Sequence, residues 1–118
     1  MKLKGKSQVL RIYIGSMDKY NHTPMYEVII NEAKKFGMAG ASAFRGILSF
    51  GANSTIHSAK IWTLSADLPI VIEIVDEKNK IEAFTDYILN FFEDKNFGGL
   101  ISTYEVEVIH YIPHQKEK

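Results

Sequence analysis

Between Gln8 and Gly15 the chain reads QVLRIYIG, with Leu10, Ile12 and Ile14 at alternate positions and Val9, Arg11 and Tyr13 between them. A period of two held over this length predicts a strand with two unlike faces. A turn-rich stretch, SMDKYNHTP, follows; Thr23 offers an N-cap hydroxyl and Pro24 fits the first helical position. Met25, Ile29, Ala33 and Phe36 then recur at spacings of three and four, the apolar stripe of an amphipathic helix. Gly37 is placed to end that helix in a left-handed cap.

GASAFRGILSFG, residues 40–51, reads as a second strand weakened by glycine and alanine. A polar run carrying Asn53, Ser54, Thr55, His57 and Ser58 comes next, with Gly51 as the hinge where the chain leaves the sheet. LPIVIEIVD is the clearest strand, with Ile70, Ile72 and Ile74 set against Val71, Glu73 and Val75. Asp76 is placed to cap a second helix striped by Ile81, Phe84, Ile88 and Phe91, and DEKNKIE reads as its solvated start. NFGG ends that helix, and STYEVEVIHYI makes the last strand.

The order strand–helix–strand–strand–helix–strand predicts an α+β, ferredoxin-like βαββαβ fold: a four-stranded antiparallel sheet with both helices on one face. The 118 residues fit one domain, 1–118, with a core over 4–112 and a flexible tail over 113–118. Two helices cover one side of such a sheet. The bare side is expected to present Val9, Arg11, Tyr13, Val71, Glu73, Val75, Ile109 and Tyr111, with Glu105 or Glu107 nearby. A contiguous apolar patch of this kind marks an interface. At roughly 25 cal/mol per Å², hiding a few hundred Å² supplies several kcal/mol towards self-association. Arg11 and Glu73 fall on neighbouring strands and are expected to pair across the sheet.

Charge and composition then narrow the function. Lys plus Arg equals Asp plus Glu at 14 each, which argues against a surface built for nucleic acid. The absence of cysteine excludes disulfides and thiolate metal sites and is compatible with a reducing cytoplasm. The basic start MKLKGK resembles that of a signal peptide, but Arg11 breaks the apolar run, so a secretory reading is rejected; no stretch is long enough to span a bilayer. The glycines of GMAGASAFRG lack the Gly-Lys-Ser/Thr ending of a phosphate loop and follow a helix instead of preceding one. They are read as a helix cap, Gly37, and as Gly40 and Gly46 easing turns and close packing. His110 and His114 lie in a strand pattern interrupted by Pro113, so no metal is expected there. His57 has Ser54 and Ser58 close by but no neighbouring acid; Asp18 or Asp67 would have to approach through the fold. No catalytic residue is assigned.

The segments LRIYIG, DKY, PMYEVII, GMAGASAFRGILSFGANSTIHSAKI and LSADLPIVIEIVD follow in the order and spacing of the "domain of unknown function 190" family, from about Lys4 to Tyr111. Ser49 stands where that family often has glycine. The family resembles the PII-like signalling proteins, which implies ferredoxin-like subunits in a homotrimer with small ligands bound between them. The resemblance makes 51–67 the mobile, ligand-responsive loop. It makes Asn96 to Gly99 the position of a second ligand loop, and the tail from Tyr111 the third. NFGG is shorter than the loop with which PII proteins hold ATP, which leaves AMP, ADP or another small anion as the implied ligand, with no metal. Arg45 is the expected anion contact, because its planar fork suits phosphate or carboxylate. The ligand-binding set is thus Arg45, Gly46, Gly51, Asn53, Ser54, His57, Gly98 and Gly99. The oligomer interface is Arg11, Tyr13, Val71, Glu73, Val75 and Ile109. The implied role is that of a non-enzymatic sensor acting on a protein target such as a membrane transporter or channel. The rival readings are a small ferredoxin-like oligomeric enzyme using His57 or Tyr13, and a ligand-free structural trimer.

Overall fold

The first alternating segment forms the strand that holds the sheet together. In the computed structural model, which describes residues 3–50, 56–58, 68–93 and 99–112 (48–50, 56–58 and 93 through their backbone alone), β1 spans Gly5–Gly15. It pairs on one side with β7 (Pro69–Asp76) and on the other with β8 (Leu100–Val108). β4 (Ala41–Arg45) adds to the far side of β7, giving the antiparallel order β4-β7-β1-β8. The crossovers are α1 (Met25–Phe36) and α2 (Lys78–Glu93). This is the ferredoxin-like architecture expected.

Residues directly opposite in an antiparallel ladder share a face. Leu10, Ile12 and Ile14 therefore line up with Ile74, Ile72 and Ile70. Against them pack Met25, Ile29 and Ala33 of α1 and Ile81, Phe84 and Ile88 of α2, all buried. Phe36, at the end of the α1 stripe, is partly exposed but stacks edge-on against Phe84. Gly37 ends α1 at φ 85°, and the backbone N–H groups of Gly37 and Met38 close the helix on Lys34 and Ala33.

Several expectations need correction. Helix α1 is capped by Pro24 with no side-chain hydrogen bond, because Thr23 and Pro24 instead form β3 (Thr23–Pro24), a two-residue strand against β2 (Lys19–Tyr20). Its turn puts Asn21 and His22 at positive φ. Asp76 is not an N-cap either: the first helical bond runs from the Ile81 N–H to the Glu77 carbonyl. Nor is it part of a solvated start, being fully buried. It accepts the backbone N–H of Ala39 at 2.8 Å and that of Glu77 at 2.7 Å. It thus ties the loop after α1 to the end of β7.

The second strand is not continuous over 40–51. It breaks after Arg45, and Leu48–Phe50 form β5, which pairs with β6 (Ile56–Ser58) in a separate hairpin. The last strand begins and ends earlier than its pattern suggested. Its register pairs Glu105 with Gln8 and Glu107 with Lys6, which puts both carboxylates on the helix side of the sheet.

Candidate functional site

The chain leaves the four-stranded sheet at Gly46. Its N–H donates to the Pro69 carbonyl at 2.7 Å, and a Cβ at this position would meet Pro69 Cγ at 2.7 Å. Only a residue without a side chain lets the two segments come so close. The close packing expected at Gly46 is thus present; Gly51, read as the hinge, lies outside the described residues. Where the chain returns, Ser16 holds it: the Ser16 N–H donates to the Leu68 carbonyl at 2.7 Å, and the Ser16 hydroxyl accepts the Leu68 N–H at 3.0 Å. Both legs of the 46–68 excursion are therefore fixed to the sheet.

The register places these anchors at one end of the sheet. Arg45 pairs with Ile70, Gly15 with Pro69, and Tyr13 with Leu100. Gly99, immediately before β8, sits at that same end, where a Cβ would meet the Tyr13 carbonyl oxygen at 2.8 Å. Arg45, Gly46 and Gly99 are thus brought to a common rim, but on opposite edges. β4 and β8 are separated by β7 and β1, and three strand spacings of about 4.8 Å put them about 14 Å apart. Arg45 is exposed and shares the helix side of the sheet with Ala41 and Ala43. His57 lies on β6 opposite Ser49, with its side chain outside the described residues, as are Asn53, Ser54, Asp67 and Gly98. The Asp18 carboxylate accepts the Gly15 N–H at 2.9 Å.

The other half of the site is the side of the sheet away from the helices. Arg11 and Glu73 pair there as expected, through Arg11 Nη2 and Glu73 Oε2. The same Nη2 donates to the Tyr104 hydroxyl at 3.0 Å, and the guanidinium lies 5.3 Å from the Tyr104 ring centroid. The bond to Glu73, and next the Tyr13 hydroxyl, hold the guanidinium pKa above its already high ordinary value. Tyr13, Phe44, Leu100 and Tyr104 are exposed large hydrophobic residues of this face. Val9, in contrast, is buried between Val75 and Tyr104. Ile109 follows the end of β8 and is 73% exposed. Tyr111 lies beyond the strand, and its hydroxyl donates to the Ala39 carbonyl at 2.7 Å.

Sequence reasoning missed Phe44, Leu100 and Tyr104 on this face; a shift of one residue in the phase of the last strand would have found Tyr104, and an earlier start Leu100 as well. Two shallow grooves among the described residues, one between α1 and β4 along Tyr26, Ile30 and Ala43, the other along Gln8 and Thr85, do not reach Tyr13. No helix among the described residues is long and apolar enough to cross a membrane.

Residues 7–108 match the model of a family described as DUF190, uncharacterized ACR. The chain belongs to the DUF190 family. A UPF0166 protein of Aquifex aeolicus is 34% identical over 105 residues, covering 89% of this chain and 95% of that one. Among solved structures, CPII from Thiomonas intermedia K12, a nitrogen regulatory PII-like protein bound to ADP, AMP and bicarbonate, superposes with a TM-score of 0.66 at 14% identity. That match covers 87% of this chain and 88% of CPII. A putative PII-like signaling protein from Thermus thermophilus gives a TM-score of 0.63 at 13% identity, covering 91% of this chain and 93% of that one. At these identities the likeness establishes that this DUF190 chain has the fold of PII-like proteins.

Proposed function

We propose that this DUF190 protein is a cytoplasmic PII-like sensor. Copies associate through the open sheet face into a homotrimer, and AMP or ADP is held where one copy meets the next. The observation that carries this reading is the separation of the candidate ligand residues. Arg45 and Gly46 sit on one edge of the sheet rim and Gly99 on the other, about 14 Å away, too far to grip one phosphate group together. Bringing the β4 edge of one copy beside the β8 edge of another joins them into a single crevice. A head-to-tail contact of this kind forms a closed ring when the rotation from copy to copy is a third of a turn.

In that crevice Arg45 meets the anionic end of the ligand, Gly98 and Gly99 let backbone N–H groups approach it, and the segment that begins at Gly46 closes over it. Ligand occupancy then alters the segment 51–67, which carries Asn53, Ser54 and His57, and with it the surface offered to a protein target such as a transporter or channel. The nucleotides held by CPII support an adenine ligand, and its bicarbonate supports a small anion as an additional effector.

Calorimetric titration of the purified protein with AMP, ADP and ATP tests the reading. Saturable binding of AMP or ADP, weakened at least tenfold by Arg45→Ala, is the expected result. No heat with any of the three overturns the nucleotide reading.

A further inference from the structure

One residue from each strand forms a continuous row across the open face: Ser42, Glu73, Arg11 and Ser102 are directly opposite one another in the register. On one side of this row lie Val75, Val9 and Tyr104, and on the other Phe44, Val71, Tyr13 and Leu100. A polar belt thus runs between two apolar rows. The belt is unfinished. Arg11 donates through Nη2 to both Glu73 and Tyr104, and the Tyr13 hydroxyl also stands against the guanidinium, while its Nε–H is buried with no acceptor among the described residues. Glu73 engages through Oε2, and the two serines at the ends of the row are exposed. A guanidinium carries five donors in a fixed fork, and a buried donor without an acceptor is costly.

We propose that this row is completed by a second copy of the chain, whose Glu73 carboxylate accepts from Arg11, and that the row sets how the copies are aligned. The inference rests on the reading that copies cover the open face, and deepens it by naming the contact. The row holds one acid, one base and two hydroxyls, so it is complementary to itself. A partner of a single charge sign would satisfy only half of it. The apolar rows by themselves permit the copies to slide; the belt does not, since a slip of one row sets Arg11 and Glu73 against Val75 or Phe44 of the next copy. Placing charge against apolar surface is the penalty by which an interface rejects wrong alignments.

The test is subunit exchange with a charge-swapped chain, Arg11→Glu with Glu73→Arg, which keeps the pair within each chain. Mixed with differently tagged wild-type protein and analysed by native mass spectrometry, the swapped chain is expected to assemble with itself. It should enter wild-type assemblies at least tenfold less than a tagged wild-type control, because Arg11 would then face an arginine. Free mixing at control levels overturns the inference while leaving self-association standing. A wild-type protein that is itself a single chain at every concentration overturns both. Should the swapped chain fail to fold, Glu73→Gln, which preserves shape, is expected to weaken assembly about tenfold, and unchanged assembly overturns the inference.

Discussion

The N–H of Gly46 donates to the carbonyl of Pro69 at 2.7 Å, and this contact fixes the point where the chain leaves the sheet. The proline ring against Gly46 cannot rotate away as a flexible side chain would. Gly46→Ala is therefore expected to lose about 1–3 kcal/mol of stability in urea unfolding, the usual range for forcing extra atoms into a packed site. Gly40→Ala, with nothing within 4 Å of the added carbon, is the control and should change stability by under about 0.5 kcal/mol.

Asp76 works as a buried connector. Its carboxylate accepts from Ala39 and Glu77, and Lys80 Nζ stands 3.6 Å away while also donating to the Gly37 carbonyl. Asp76→Ala leaves backbone donors without an acceptor at a fully buried position, and is expected to cost about 2–4 kcal/mol. Asp76→Asn keeps one acceptor oxygen and should fall between that variant and wild type. Equal midpoints for Asp76→Ala and wild type in chemical denaturation would contradict this role.

Tyr87 and Glu32 link the two helices, with the tyrosine hydroxyl donating to Glu32 Oε1. This bond, followed by burial and the nearby carboxylate charge, raises the Tyr87 pKa above its ordinary value. A raised folded-state pKa contributes stability that is fully present below the unfolded value of about 10 and is lost as pH rises through the folded value. Wild-type protein is thus expected to lose stability above about pH 10 more steeply than Tyr87→Phe. Thermal midpoints between pH 8 and 11 check it, and parallel profiles would contradict it.

Most of the fold was legible because the strands that matter most repeat isoleucine at every second position. IYI in β1 and IVIEIV in β7 leave one choice of buried face, and the helix stripes of three and four fit only that face. The break at Gly46 was hidden because FRGILSF keeps its alternation through the glycine; it is the proximity of Pro69, 23 residues on, that ends the pairing. The last strand misled for a related reason. Apolar residues at 106, 108, 109, 111 and 112 fit either phase, and pairing of Val9 with Tyr104 decides between them. Arg11 and Glu73 were readable as a pair, being charged positions in otherwise apolar strands. Ser42 and Ser102 were not, since a serine on a strand announces nothing until the register places it in a row.

A sensor of the proposed kind requires copies of the chain to cover the sheet face opposite the helices. The most direct measurement is the mass of the wild-type protein in solution, by light scattering on a chromatographic peak, over a range from micromolar concentrations upward. Three chain masses, independent of concentration, is the predicted result; a species that stays at one chain mass throughout contradicts it.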